Sequence, residues 1–187
     1  MKPLKTEWER ATRVCSSIDL QPDLLTTLRD HIEAHELGAV EAQALVCCET
    51  VSRRVVKAGL PMRRGGAGHK LLTEAVIVTP TRLVRAQRTD QDEPMARSEL
   101  LAKLEVTDYE KSPQYALLPD HGLEVSGVAA RDGDAGTLFF GCSEGPHAGR
   151  ARQVLRDAVR AAHGEGPLVV RPSEKAEGAA PEGAPAG

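Results

Sequence analysis

Aromatic residues are scarce in this chain of 187 residues, which has one Trp, two Tyr and two Phe, or 3% of the sequence. The hydrophobic content of 41% is that of a globular protein long enough to bury a substantial core. We therefore expect a core of Leu, Val, Ala and Ile side chains. No aromatic platform for stacking nucleic-acid bases lies near the basic residues of the stretch 53–70.

Long apolar runs are also absent. The first ten residues, MKPLKTEWER, lack the apolar stretch of a secretory signal, and no run approaches the roughly 18 apolar residues of a membrane span. We expect a cytoplasmic protein whose association with membranes is doubtful. The cysteines have no C-x-x-C spacing, so in a reducing compartment they are most simply small core residues. The four are Cys15, Cys47, Cys48 and Cys142.

A complete catalytic set is missing as well. Residues 141–145, Gly-Cys-Ser-Glu-Gly, match the G-x-S-x-G nucleophile elbow around Ser143. A triad would need an Asp and a His from separate loops, but Asp157 and His163 lie on one predicted helix. Pro146 starts that helix after the second Gly, whereas an elbow serine lies at the helix start itself. We expect a strand-to-helix turn and no catalytic residue here.

A metal site is not expected either. His31 and His35 are four residues apart on one predicted helical face, a spacing that suits zinc. Glu33 does not directly follow the first His, as a zincin requires, and Cys47 is the only candidate for a third ligand. The set is incomplete, so we predict no metal.

The stretch RRGGAGHK, residues 63–70, does not form a phosphate-binding loop, because that motif requires Lys and then Ser or Thr directly after its last Gly. Since the chain has no dinucleotide fingerprint either, we expect no cofactor. Residues 19–50 contain seven acids and one basic residue, Arg29, and would repel a phosphate backbone. No specific nucleic acid is therefore expected as a partner.

Charge is unevenly distributed although the formal net charge is only −3. Residues 53–88 contain nine basic residues and one acid, and residues 89–125 contain nine acids and three basic residues. Two interpretations are open: the segments neutralise each other across the folded surface, or the basic segment presents an anion site. The candidate ligand-binding residues for an anion site are Arg63, Arg64, Lys70 and Arg82.

Three helices are predicted near the N-terminus. Apolar residues at steps of three and four predict a first helix within residues 4–18. Pro22 opens a second helix that ends at Gly38. A third helix is predicted from Val40 to near Ala58-Gly59, and the short turn before it makes an antiparallel helical hairpin of the second and third helices.

From residue 73 the pattern changes to short segments rich in β-branched residues, which are typical of strands. TEAVIVTP and TRLVRAQR predict a hairpin, and further strands are predicted in LAKLEVTDY, YALLPD, GLEVSGVAA and AGTLFFGC. A helical period returns from Pro146 to His163. The sequence therefore predicts an α+β fold. Its predicted parts are N-terminal helices at 1–59, a basic Gly-rich linker at 60–72, a strand unit with its helix at 73–163 and a disordered tail at 164–187.

Residues 74–162 resemble the bacterial pleckstrin-homology-like domains. AVIVTPTRLVRAQR is similar to their opening hairpin, and MARSELLAKLEV is similar to the turn and strand that follow. GLEVSGVAARDGDAGTLFFGC and PHAGRARQVLRDAVRAA are similar to their final strands and capping helix. The resemblance implies a bent antiparallel β-barrel with one open end closed by the last helix.

Members of that family are binding or assembly modules, so the resemblance implies a noncatalytic module that binds an unknown protein partner or self-associates. Eukaryotic relatives often hold phosphoinositides around a long first hairpin loop, and the tight turn at residues 79–81 departs from that pattern. Two alternatives stay open: a binder of an anionic ligand or membrane surface through residues 53–88, and a hydrolase that uses Ser143.

Overall fold

The computed structural model describes residues 8–55, 70–116, 119–129 and 135–168. Its helices are α1, Pro22–Ala34, and α2, Pro146–Ala162. Its strands are β1 (Trp8–Val14), β2 (Val46–Arg54), β3 (Leu71–Val78), β4 (Arg82–Thr89), β5 (Met95–Leu100), β6 (Glu105–Asp108), β7 (Gly122–Ala129) and β8 (Ala135–Gly141). Short 3₁₀ turns lie at Ser17–Asp19, Leu101–Lys103, Tyr109–Lys111 and Pro113–Ala116.

These strands form two antiparallel sheets. β1 to β5 make the first sheet in chain order, and β6 to β8 make the second. α1 packs on one face of the first sheet, and α2 and the second sheet pack on its other face. The predicted α+β class is confirmed. The predicted closed barrel is wrong, because the chain leaves the first sheet at the 3₁₀ turn Leu101–Lys103 and starts a separate sheet at β6.

Gly127 marks a close approach between β7 and that 3₁₀ turn. Its φ is +84°, and an added Cβ would lie 2.0 Å from the carbonyl oxygen of Lys103. The register of β7 against β8 also shifts between Ser126 and Val128. A glycine bulge therefore bends the second sheet where it passes the end of the first.

The N-terminal helical hairpin is not shown, because α1 is the one helix within residues 8–55. The segment 4–18, predicted as a helix, contains β1, whose even-numbered residues are half-buried and whose odd-numbered residues are exposed. Two of the inward residues, Arg10 and Thr12, are polar. Apolar residues therefore do not alternate along β1, and its period of two is hidden in the sequence.

Residues 40–55, the described part of the third predicted helix, contain β2. The first five residues of this strand, Val-Cys-Cys-Glu-Thr, are all buried. β2 lies between β1 and β3, and both faces of the sheet are covered, so its sequence shows no alternation of apolar and polar residues. β1 and β2 thus belong to the same sheet as β3, β4 and β5, whereas the prediction placed these two parts of the chain in separate units. Of the predicted linker 60–72, residues 60–69 lie outside the described residues.

The second predicted helix is confirmed as α1. It starts at Pro22, whose fixed φ suits the first helical turn, but it ends at Ala34 before reaching Gly38. Leu24 and Leu28 are its fully buried residues. They pack on the face of the first sheet that carries Cys47, Ala75, Ile77, Val84 and Ala86.

The predicted hairpin at residues 73–88 is confirmed as β3 and β4. Thr79 closes the turn, because its backbone N–H donates to Arg82 O at 2.9 Å and its hydroxyl oxygen accepts from Arg82 N at 2.9 Å. The strands predicted in GLEVSGVAA and AGTLFFGC are confirmed as β7 and β8.

Two other strand predictions need correction, and one strand was missed. LAKLEVTDY contains a 3₁₀ turn and only the short β6, and the described part of YALLPD contains no strand. β5, with the sequence MARSEL, lies where the resemblance implied a turn, and it contains no β-branched residue that would indicate a strand. It belongs to the first sheet through its pairing with β4.

The helix predicted from Pro146 to His163 is confirmed as α2. Its apolar side, with Ala148, Ala151 and Leu155, packs in the core shared by both sheets. Half-buried Leu168 also packs there, and the rest of the predicted tail, residues 169–187, lies outside the described residues. No helix among the described residues is both long and apolar enough to cross a membrane.

Candidate functional site

Four of the five aromatic residues of the chain gather around one arginine. The Cζ atom of Arg10 lies 5.9 Å from the ring centroid of Trp8 and 5.3 Å from that of Phe139. The ring of Tyr109 lies 4.6 Å from Phe139 and 6.2 Å from Tyr115, centroid to centroid. We call these five residues the arginine–aromatic cluster. The fifth aromatic residue, Phe140, is buried in the core.

The cluster is assembled from distant parts of the chain. Trp8 and Arg10 come from β1, Phe139 comes from β8, and Tyr109 and Tyr115 come from the two 3₁₀ turns after β6. Tyr109 is buried, whereas Trp8, Tyr115 and Phe139 are half-buried. The site thus presents partly exposed rings on a buried support.

Arg10 is the buried centre of the cluster. Its side chain is only 8% exposed and forms an ion pair with Asp120, which is 14% exposed. The Nε atom of Arg10 has no hydrogen-bond partner among the described residues. The guanidinium is therefore held by one carboxylate and by the faces of two rings, a contact that favours the cation.

Two glycines make room for this arrangement. A Cβ added to Gly141 would lie 2.4 Å from Arg10 Nε, so the arginine crosses β8 where no side chain is present. A Cβ added to Gly122 would lie 2.3 Å from Phe140 O and 2.9 Å from the ring of Phe139. Larger residues at these positions would displace the arginine or the ring.

A network of charged side chains lies beside the cluster. His121 Nε2 is 2.8 Å from Glu144 Oε1, and His121 Nδ1 is 3.3 Å from Glu110 Oε1. Arg152 Nη1 on α2 also donates to Glu110 Oε1 at 3.3 Å. Arg156 on the next turn of α2 pairs with a carboxylate at the end of β6, Asp108. These ion pairs attach α2 to the second sheet.

Ser143 has a structural partner. Its backbone N–H donates to Thr12 Oγ1 at 2.9 Å, and its Oγ accepts from the backbone N–H of Thr12 at 3.2 Å. This reciprocal pair covers the outer edge of β1. Among the described residues, no histidine is hydrogen-bonded to Ser143, and Asp157 accepts from Gln153 on α2. As predicted, α2 starts at Pro146, after the second Gly.

Glu74 is a buried carboxylate on the face of the first sheet that also carries Arg10. Arg85 Nη1 lies 3.3 Å from Glu74 Oε1, and Arg85 also donates to Gln87. Burial raises the pKa of Glu74, and the nearby charges of Arg85 and Arg10 only partly oppose this effect. The neutral form of this carboxyl group is thus favoured compared with the same group in water.

The predicted histidine pair lies on α1 and contacts β5. The rings of His31 and His35 are 4.3 Å apart, centroid to centroid, and His31 Nε2 is 3.1 Å from Ser98 Oγ. Burial, and then the neighbouring His35, lower the pKa of His31. Cys47, proposed as a third ligand across a helical hairpin, lies instead on β2 beside Cys15. The described residues contain no group of three side chains suited to a metal ion.

All four cysteines are free thiols. Cys47, Cys48 and Cys142 are buried, as expected of small core residues, and Cys15 is half-buried. Burial raises the pKa of both Cys47 and Cys142 to about 12. A thiol with such a pKa is almost entirely protonated at neutral pH and is a poor nucleophile.

The candidate anion-binding residues are only partly described. Arg63 and Arg64 lie outside the described residues. Lys70 precedes β3, and Arg82 starts β4 at the other end of the hairpin, so the length of β3 separates them by roughly 25 Å. The described geometry does not bring these two residues together, and their binding of a ligand stays a prediction.

Ion pairs among the described residues neutralise part of the charge of both segments. The acidic segment 89–125 pairs with arginines from outside the basic segment, through Asp108–Arg156, Glu110–Arg152 and Asp120–Arg10. Within the basic segment, Arg85 pairs with Glu74, and Arg88 pairs with Asp23 of α1. None of these five ion pairs joins the acidic segment to the basic segment.

Sequence reasoning missed the arginine–aromatic cluster. Arg10 and Asp120 are 110 positions apart, and β1, which carries Arg10, was predicted to be helical. The available signal was the scarcity of aromatic residues itself, since four of only five lie in this cluster. No protein-family model matches the chain, and no curated protein matches it at a significant level.

Proposed function

We propose that the chain is a noncatalytic binding module that holds a protein partner at the arginine–aromatic cluster. The observation that carries this proposal is the concentration of four of five aromatic residues, three of them half-buried, around Arg10. Trp, Tyr and Arg are the residues most enriched among those that dominate the energy of protein interfaces.

The ion pair between Arg10 and Asp120 supports this role. Rigid aromatic side chains lose little conformational entropy on binding, and this loss is smaller when the rings are fixed beforehand. Arg10 is held by its ion pair with Asp120 and by its contacts with the rings of Phe139 and Trp8. The cluster is thus a preorganised surface onto which the apolar side chains of a partner can pack.

The finer fold assignment is part of the same proposal. We place residues 74–162 among the pleckstrin-homology-like modules, which supports a binding function. In favour are the β3–β4 hairpin, the three-stranded β6–β8 meander and the helix that follows it and packs in the core. The chain departs from a simple member because β1, α1 and β2 precede this part and extend its first sheet. A cytoplasmic location is also proposed, and the four free thiols support it.

Site-specific photo-crosslinking tests the function. A p-benzoylphenylalanine residue is introduced at Tyr115 in cells that express the chain natively. The matched control position is Ile18, which is 70% exposed and lies in the turn between β1 and α1. We expect one dominant protein adduct from position 115 and none of that mass from position 18. The same adducts from both positions, or no adduct from position 115, would contradict the proposal.

A further inference from the structure

β5 is the last strand of the first sheet, and among the described residues no strand pairs with its outer edge. The backbone of Leu101 shows which groups lie there. Its N–H donates to Thr81 O, in the same register that pairs β4 with β5. Because the direction alternates along an antiparallel strand, odd-numbered residues of β5 bond to β4 and even-numbered residues face outward. The outward backbone groups are those of Ala96, Ser98 and Leu100.

Side chains at this edge are suited to an interface. Leu100 is 38% exposed and Met95 is 39% exposed, so two large apolar side chains end the strand. Between them, Arg97 and Glu99 carry opposite charges on the face towards the second sheet. Both are held in place by Ala129 of β7, because Arg97 Nη1 donates to Ala129 O at 3.3 Å and Ala129 N donates to Glu99 Oε1 at 3.2 Å.

We propose that this edge pairs antiparallel with the same edge of a second copy of the chain, with Ser98 on the two-fold axis. Ser98 then lies opposite Ser98 of the second copy, and Ala96 lies opposite Leu100. All three outward residues of each copy donate and accept backbone hydrogen bonds. The contact is the same surface on both copies, and it closes after two. The first sheets of the two copies become one continuous sheet.

The charges select this register. With Ser98 on the axis, Arg97 of each copy lies directly opposite Glu99 of the other, and opposite charges in such cross-strand pairs stabilise a sheet. A register centred on Arg97 places two guanidinium groups opposite each other. It also places Leu100 opposite Pro94, which has no N–H to donate. A register centred on Glu99 places two carboxylates opposite each other.

α1 adds to the contact. It packs on β4 and β5, and the bond between His31 and Ser98 places its C-terminal half over β5. Because the two-fold axis of such an antiparallel pair is perpendicular to the sheet, the α1 helices of the two copies lie on the same face of the joined sheet. The two helices are antiparallel, so the His31 and His35 pairs of both copies lie near the axis.

This inference goes beyond partner binding at the arginine–aromatic cluster. β5 contributes no residue to that cluster, and the cluster contributes none to the β5 edge. A failure of self-association would therefore leave the proposed function standing, and a failure of crosslinking at Tyr115 would leave the self-association standing.

Two charge-reversal variants of the full chain test the register. Arg97→Glu has Glu at both positions, so two copies of it oppose carboxylates in both pairs. Glu99→Arg has Arg at both positions and opposes guanidinium groups. A mixed pair of the two variants regains opposite charges in both pairs. Lys103→Glu, at an exposed lysine outside β5, is the control for a change in net charge.

Sedimentation velocity over a range of protein concentrations is the measurement. We expect the unmodified chain and Lys103→Glu to dimerise at micromolar concentration, and each β5 variant alone to dimerise at least about tenfold more weakly. An equimolar mixture of the two variants should regain the dimer. The intramolecular contacts to Ala129 are not restored by mixing, so a merely structural role of these residues predicts no such recovery.

Three results would overturn the proposal. The unmodified chain could be monomeric at all concentrations, the single variants could dimerise as it does, or the folded variants could fail to associate when mixed. Circular dichroism verifies that each variant is folded. If either variant is unfolded, Ser98→Pro replaces it. Proline at position 98 removes an outward N–H that makes no bond to β4, so the first sheet keeps its hydrogen bonds. We expect this variant to be monomeric.

Discussion

The guanidinium of Arg10 on β1 pairs with the carboxylate of Asp120, which precedes β7, and so joins the first sheet to the second. The pair also fixes the side chain on which Trp8 and Phe139 rest. One contact thus serves both the assembly of the fold and the shape of the candidate site.

Replacement of one member of this pair should be costly. Asp120→Asn removes the charge that compensates a guanidinium only 8% exposed, so we expect the free energy of unfolding to fall by about 3 kcal/mol in urea denaturation. Arg29→Gln, which breaks the exposed pair between Arg29 and Glu41, is the control and should have a much smaller effect. Equal effects of the two substitutions would show that the Arg10–Asp120 pair is not effectively buried.

Gly141→Ala tests the space that the structure reserves for Arg10. Its Cβ would lie 2.4 Å from Arg10 Nε, so the arginine must move or the strand must shift, and we expect a loss of roughly 1–3 kcal/mol in unfolding free energy. Gly149→Ala is the matched control. Position 149 lies within α2 with nothing within 4 Å of an added Cβ, so alanine there should stabilise the protein by roughly 0.5–1 kcal/mol. A stabilising Gly141→Ala would contradict the described position of Arg10.

Ser143→Ala should behave as a structural substitution. The backbone N–H of Thr12 loses its acceptor, and we expect a loss of about 1 kcal/mol in unfolding free energy. Ser16→Ala, at an exposed serine, is the control. We also expect no labelling of Ser143 by a fluorophosphonate. Stoichiometric labelling at this residue would support the hydrolase alternative.

Glu74→Gln tests the buried carboxylate through pH. Because burial raises the pKa of Glu74 above its ordinary value of 4.5, the unfolded chain releases this proton at lower pH than the folded chain does. The free energy of unfolding therefore decreases as the pH rises from 4.5 through the pKa that Glu74 has in the folded chain. Arg85 loses its partner in this variant at every pH, so the test is the change with pH: we expect the unfolding free energy of Glu74→Gln, relative to that of the unmodified chain, to increase as the pH rises from 4.5 to 7. A relative unfolding free energy that falls over this range would contradict the direction of the shift, and Glu33→Gln, at an exposed glutamate, controls for the loss of a carboxylate.

His31 gives a second pH dependence of opposite sign. Burial and the neighbouring His35 lower the pKa of His31 below 6.5, so the unfolded chain binds this proton at higher pH than the folded chain does. The contribution of the neutral ring to stability is present above pH 6.5 and is lost as the pH falls below it. We expect His31→Gln to have a smaller decrease in unfolding free energy between pH 7.5 and pH 5.5 than the unmodified chain, measured in urea.

Some of the fold could be predicted from the sequence because its signals are local. Pro22 and Pro146 each open a helix with a clear apolar side, and α1 and α2 begin at these residues. The hairpin of β3 and β4 was predictable from β-branched residues around a Thr-Pro-Thr turn. These signals depend on neighbours in sequence and need no knowledge of the rest of the fold.

β1 and β2 were mistaken for helices because their environment is set by distant parts of the chain. The inward positions of β1 carry Arg10 and Thr12, which are polar because Asp120 and Ser143 meet them there. β2 is covered on both faces and has no alternation to recognise. The candidate site was missed for the same reason. Its contacts join residues that are far apart in the sequence, and such contacts produce no recognisable motif.

A fluorescence titration tests the central claim most directly, because Trp8 is the only tryptophan and lies in the arginine–aromatic cluster. The protein captured by crosslinking from position 115 is purified and added to the unmodified chain, to Tyr115→Ala and to Ile18→Ala. We expect a saturable shift of the Trp8 emission, an affinity at least about tenfold lower for Tyr115→Ala and an unchanged affinity for Ile18→Ala. Binding that leaves the Trp8 emission unchanged and is equally tight for all three proteins would contradict the account.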